Sequence, residues 1–228
     1  MLARVDTLCF DKTGTLTDGT MSVENIFVVD SKYNISNVLG SYMKITGAET
    51  PTSKAIYEKY KEYSLDEDCV RTIPFSSARK WDAVEFEKSG TFILGAPEYV
   101  NAISDKDIFN DEMWEFMNSE NSNARRTLLL AHTNEKADDS EFKRIHPVAI
   151  ISLKQNLREN VAEMIKWFYD NDVDIRVISG DSLKTVTRIA KDSGIKDYEK
   201  GASLDGMSDE ELIKIVPDTK IFTRVSPD

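Results

Sequence analysis

The chain is short of the residues that build many common sites. Two cysteines in 228 residues exclude a disulfide framework and a four-cysteine zinc site. Two histidines leave little for a histidine-rich metal centre. No long basic run occurs, and 40 acidic against 29 basic side chains give a net charge of −11. Phosphate contacts need clustered cations, so nucleic acid is not an expected partner. The pattern GxxxxGK[ST] is missing, which excludes a P-loop NTPase. The longest apolar runs, such as VAIIS at 148–152, fall far below the roughly 18 residues that span a bilayer. No signal peptide precedes the first strand, so the chain itself is expected to be soluble and cytoplasmic. What is present is a folding composition, 40% hydrophobic and 30% charged, long enough for one large domain or two small ones. Both ends run straight into apolar stretches, at 5–10 and 221–225, as an excised piece would; a compact protein with short tails is the alternative.

Period and punctuation divide the chain. Residues 5–10 read as a buried strand followed by a glycine-containing loop. Residues 158–171 carry Val161, Met164, Ile165 and Phe168 at helical spacing. Residues 174–179 form a strand ending in Gly180-Asp181. Leu183, Val186, Thr187 and Ala190 mark a helix, with Gly194 as its cap. Ser208 and Glu211 make a capping-box pattern, and 220–225 is a further strand. This C-terminal third predicts a parallel α/β sheet that includes strand 5–10. The middle differs. A hairpin at 80–95 turns on Lys-Ser-Gly, strands are expected near 128–131 and 148–153, and helices near 52–63 and 110–119. Polar loops are expected at 119–126 and 136–142. Residues 20–154 therefore read as an antiparallel α+β domain inserted into an α/β domain formed by 1–19 and 155–228. Cys9 is expected to be buried in its strand.

The loop after the first strand carries the chemistry. Asp11-Lys12-Thr13-Gly14-Thr15-Leu16-Thr17 stands at a strand's carboxyl end, where parallel α/β sheets bind ligands. A carboxylate there can attack phosphorus and form an acyl phosphate. Gly14 allows close backbone approach, Lys12 and backbone N–H groups can offset developing charge, and Thr15 can donate a hydroxyl. Taken alone, DKTG also fits a surface turn capped by Asp11.

The full heptad resembles the P-type ATPases, ion pumps that phosphorylate themselves on the aspartate of DKTGTLT. The resemblance implies a haloacid-dehalogenase-like parallel sheet domain, incomplete at its C-terminus, with an inserted nucleotide-binding domain. Ser179-Gly180-Asp181 matches the family's TGD, with the hydroxyl retained. Thr223-Arg224-Val225-Ser226-Pro227 matches its ARVSP-type segment, which brings Arg224 into the set. The lysine and GDGxND segment of the family are not reached, so poor phosphoryl transfer by the chain alone is expected. Thr13 replaces the second aspartate that phosphatases of the same superfamily use to hydrolyse the acyl phosphate, which argues against a simple phosphatase.

The resemblance also implies an ATP site. Phe75-Ser76-Ser77-Ala78-Arg79-Lys80 resembles the FSxxRK segment, in which phenylalanine stacks on adenine and lysine lies beside the nucleotide. Leu94-Gly95-Ala96-Pro97-Glu98 resembles KGAPE with its lysine lost. Arg126 resembles the phosphate-contacting arginine, with Arg125 as a competing choice. Ser53 stands where relatives have an adenine-side glutamate. Gln155-Asn156-Leu157-Arg158 stands at the domain hinge in place of DPxR. The implied nucleotide set is Phe75, Lys80, Gly95, Ala96, Arg126, Arg158 and Arg224. Mg²⁺ is expected on the Asp11 carboxylate and the Thr13 carbonyl.

FSSxRKW with LGAPE resembles a bacterial branch, the cation-transporting ATPase E type, which makes calcium a candidate cargo. The implied protein sits in the cell membrane with this region on the cytoplasmic side. Its partners are ATP, the membrane and actuator domains of the same polypeptide, and the cation those membrane helices carry. A soluble phosphohydrolase of the same fold and a non-catalytic nucleotide-binding module are the alternatives.

Overall fold

The computed structural model describes residues 5–137, 142 and 144–225. Ser226 and Pro227, and part of the polar loop expected at 136–142, lie outside the described residues. The chain runs through β1 (Thr7–Asp11), a tight turn at Lys12–Leu16, β2 (Thr17–Val28), α1 (Ile35–Thr46), α2 (Pro51–Tyr60), β3 (Cys69–Ile73), β4 (Trp81–Phe86) and β5 (Gly90–Gly95). It continues through α3 (Pro97–Ala102), α4 (Asp111–Ser122), β6 (Arg126–Thr133), β7 (His146–Leu157), α5 (Val161–Asp170) and β8 (Asp174–Ser179). It closes with α6 (Leu183–Asp192), β9 (Gly201–Ser203), α7 (Asp209–Ile215) and β10 (Ile221–Thr223). Two compact units result, one holding the chain up to Thr20 and from Gln155 on, the other Met21–Lys154. Among the described residues no helix is long and apolar enough to cross a membrane.

The first unit is built on a parallel sheet of order β1-β8-β10-β9. Period-2 alternation points Phe10, Ile175 and Val177 to one face, where Val161 and Ile165 of α5 and Val186 and Ile189 of α6 close the core. Ser182 caps α6 by accepting from the Thr185 amide, and Gly194 follows at φ 83°, the left-handed position expected of it. Ser208 and Glu211 form the expected reciprocal cap on α7. Strand β9, three residues long, was not expected. Cys9 corrects its expectation: it is exposed, because the alternation that buries Phe10 turns Cys9 to the opposite face, where Ile178 is exposed too.

The second unit is a six-stranded sheet of order β2-β7-β6-β5-β4-β3, with β3 through β7 antiparallel. Val84 and Phe86 face α1 and α2, while Trp81 and Ala83 face α3 and α4. Helix α1 was not expected. Gly40 at its centre lets the turn after α2 approach, since a Cβ there would stand 2.2 Å from the Tyr63 carbonyl oxygen. The loop expected at 119–126 is mostly element: α4 runs to Ser122 and β6 begins at Arg126. Glu120 explains this. It is buried and accepts from Ser152, Arg125 and Asn25, so a polar stretch is ordered by an internal network.

The β4–β5 turn is pinned by His132. Its Nε2 donates to the Ser89 carbonyl at 2.7 Å and its Nδ1 accepts from the Tyr33 hydroxyl at 3.0 Å, so one neutral tautomer satisfies both. Burial holds the His132 pKa below the ordinary value. The unfolded chain therefore takes up a proton near pH 6.5 that the fold resists, and His132's contribution to stability falls as pH drops below about 6.5. Urea unfolding at pH 5.5 and 7.5 is expected to show a smaller loss in His132→Gln than in the native chain.

Candidate functional site

Asp11 ends β1 with its side chain exposed and accepts from the Thr13 amide at 3.3 Å. The loop turns back through Gly14 at φ 75°, ψ −4°, where a Cβ would meet nothing; backbone conformation, not space, demands glycine there. Arg158 holds the inner side. Its guanidinium donates to the Gly14 and Thr15 carbonyls, and its amide donates to the Leu16 carbonyl at 2.9 Å. Three successive carbonyls are thus engaged by Arg158. Arg158, a member of the expected nucleotide set, is here bonded to the loop.

Lys12 is held inside the fold. It is 1% exposed, and its ammonium lies 2.6 Å from the Asp181 carboxylate and 2.9 Å from the Gln155 amide oxygen. A buried ammonium must be paired, and here the partner comes from the turn after β8. The lysine expected beside phosphoryl oxygens ties the loop to Asp181. Gln155 is its neutral second partner at the position where the sequence had lost an aspartate.

Register brings the remaining residues to the same sheet edge. Asp11 pairs with Ile178, and Thr223 with Ser179, so the carboxyl ends of β1, β8 and β10 lie side by side. Ser179 is buried and its hydroxyl oxygen accepts from the Asp181 amide at 3.2 Å, leaving the hydroxyl proton to donate. Gly180 is exposed beside it, and a Cβ there would meet the Val225 carbonyl at 3.4 Å. Arg224 follows β10, exposed and left-handed at φ 58°. Among the described residues no group of three or more His, Cys, Asp or Glu stands ready for a metal. The Asp11 carboxylate and Thr13 carbonyl are two hard oxygens, a set that suits Mg²⁺, which keeps most of its waters.

The other expected residues gather at one end of the second unit's sheet. Phe75 lies between β3 and β4 and is 56% exposed, so it is no core residue. Arg79 donates to the Pro74 carbonyl at 2.7 Å and stacks over Trp81, which braces this segment and leaves Lys80 exposed at φ 59°. Ala96 donates its amide to the Lys80 carbonyl at 3.0 Å. Gly95 is buried, and a Cβ there would sit 2.3 Å from the Trp81 Cβ and 2.7 Å from the Lys80 carbonyl oxygen. Gly95 by close packing and Ala96 by its amide thus hold Trp81 and Lys80 in place. Gly95→Ala is expected to cost about 1–3 kcal/mol through overpacking, read as a lower midpoint in urea.

The two candidate arginines separate. Arg125 pairs with Glu120 at 2.9 Å and Glu24 at 3.2 Å. Arg126 is exposed and donates to Thr52 at 3.0 Å. Leu94 is buried between the sheet and α1. Directly opposite it in register stands Asp82, a residue the sequence reading passed over. Asp82 accepts from the Tyr42 hydroxyl at 2.9 Å, and burial pushes its carboxyl up to about 6. The signal was present: in WDAVEF, Asp82 shares its face with Val84 and Phe86.

Comparison with known proteins agrees with this architecture. A probable cation-transporting ATPase, exp7, of Streptococcus pneumoniae serotype 4 is 35% identical over 99% of this chain. The calcium-transporting ATPase CtpE of Mycobacterium bovis is 29% identical over all of it. The chain spans 28% of the length of each. The crystal structure of a zinc-transporting PIB-type ATPase superposes with a TM-score of 0.63 at 19% identity, over 83% of this chain and 28% of that one, a likeness of fold. The family model for haloacid dehalogenase-like hydrolases matches residues 5–225, and the chain belongs to that family.

Proposed function

We propose that this chain is the phosphorylation and nucleotide-binding region of a P-type cation-transporting ATPase, with residues 1–19 and 155–228 as the phosphorylation domain and 20–154 as the nucleotide domain. The observation that carries the reading is Asp11, exposed at the carboxyl end of a parallel strand and followed by a loop whose carbonyls Arg158 engages. The cation-transporting relatives support it, and the calcium transporter among them makes calcium the candidate cargo.

ATP binds with its base on Phe75 and its phosphates toward Lys80 and Arg126. An Asp11 carboxylate oxygen attacks the γ-phosphorus in line. The new P–O bond makes an aspartyl phosphate, the bond from the γ-phosphorus to the β–γ bridging oxygen breaks, and ADP leaves. Ser179 donates its hydroxyl proton to a phosphoryl oxygen, and Asp181 holds Lys12 and with it the loop. The Asp11 carboxylate and Thr13 carbonyl would hold Mg²⁺, which would supply positive charge beside the transferring group. Thr13 offers no carboxylate to activate water, so the phosphoenzyme persists long enough to drive a conformational step in a membrane-bound protein whose headpiece faces the cytoplasm.

The test is incubation of the polypeptide that carries this chain with γ-labelled ATP and Mg²⁺. An acid-stable, hydroxylamine-sensitive label is expected. Steady phosphate release without such a label would favour a phosphohydrolase, and binding without either would favour a nucleotide-binding module.

A further inference from the structure

Asp82 has no part in the chemistry above, yet it is a carboxyl set in an otherwise apolar cross-strand row. It lies opposite Leu94, which in turn lies opposite Leu130, so the three form one cross-strand row. Arg126 is four residues before Leu130 on β6, and alternation puts it on the same face as Leu128 and Leu130. The rise per residue and the strand spacing place Asp82 roughly 13 Å along and about 10 Å across from Arg126. That offset suits a nucleotide with its phosphates at Arg126 and its base at Asp82. Thr52, bonded to Arg126, opens α2, and Tyr42, bonded to Asp82, belongs to α1, so both anchors lie on the helix-covered side of the sheet.

We propose that Asp82 is the specificity-determining residue of this nucleotide site, accepting a hydrogen bond from the exocyclic amino group of a 6-aminopurine. The assignment rests on the nucleotide reading given above. The Tyr42 hydroxyl uses one lone pair of Oδ1 and fixes the carboxyl's orientation; a carboxylate has about four acceptor positions, so capacity remains. Asp82 is only partly buried. Its raised pKa marks a carboxyl held where its charge is unwelcome, an arrangement found at functional sites more than in cores. Leu94 beside it adds apolar surface and no competing charge. A 6-oxopurine would turn an acceptor toward this acceptor.

The experiment titrates the 228-residue chain with ATP and with ITP at pH 8, where the carboxyl is ionised, following tryptophan fluorescence. ATP is expected to bind roughly 10- to 100-fold more tightly than ITP. Asp82→Ala should weaken ATP but not ITP, so that the preference between the two is lost. Asp82→Asn, whose Oδ1 stays with the Tyr42 hydroxyl and whose amide nitrogen then faces the ligand as a donor, should lose or invert the preference. Equal affinity of the native chain for the two nucleotides, a comparison that needs no variant, would overturn the assignment. So would an equal loss for both in Asp82→Ala, the mark of a merely structural role. Phe75→Ala separates the two levels. If it leaves ATP affinity unchanged, or if no nucleotide binds, the nucleotide reading falls and takes the Asp82 assignment with it.

Discussion

Asp11→Asn is expected to abolish phosphoenzyme formation in the polypeptide that carries this chain, while the protein stays folded. The amide keeps the side chain's size and can still accept from the Thr13 amide, which donates to Asp11 at 3.3 Å. What it loses is the anionic oxygen that attacks phosphorus. The side chain is exposed, so a change in stability within about 0.5 kcal/mol is expected. Asp11→Glu tests position rather than charge. One extra methylene displaces the nucleophile by more than about 1 Å, and a misplacement of that order costs about 100-fold. Acid-quenched labelling alongside a thermal melt reads both effects. A label that survives in Asp11→Asn would move the nucleophile elsewhere and end the proposal for this loop.

Asp181→Ala should be the most destabilising single change at the site. Lys12 is 1% exposed, and its second partner, Gln155, is neutral, so removing Asp181 strands a buried ammonium. Breaking a buried pair from one side costs roughly 3–5 kcal/mol. The Asp181 side chain is 43% exposed, so water can reach the vacated place and the lower end applies. That corresponds to a fall in melting temperature of roughly 6–12 °C for a chain of this size. Lys12→Met in the same background should recover most of the loss, because no buried charge then remains. A double variant no better than Asp181→Ala would show that the carboxylate acts through other contacts.

The parallel sheet and the Asp11 loop were legible because they rest on local signals: an apolar strand, a seven-residue motif, and caps at Ser208 and Gly194. Helix α1 and strand β2 were not. The apolar residues of α1 are interrupted by Gly40, Ser41 and Lys44, and Gly40 is there for a contact with the Tyr63 carbonyl, 23 residues away, which periodicity does not encode. β2 sends Met21, Val23 and Ile26 to one core and Phe27 to the other, so its alternation breaks midway. At the site, residue types were readable and directions were not. The partners that hold Lys12 and Arg158, the Asp181 carboxylate and the Thr15 carbonyl, are not written in the sequence, because only the fold brings them near. Arg125 and Arg126 are indistinguishable in sequence and are separated by two glutamates that claim the first.

The bond from the Arg158 amide to the Leu16 carbonyl makes the loop observable by hydrogen exchange. Leu16 closes the loop that follows Asp11, and Arg158 is otherwise an exposed residue just past the end of β7. Its amide deuterates slowly only while the loop stays shut against it. The deuteration rate at that one position is therefore a clock for loop opening, readable with no nucleotide, metal or turnover.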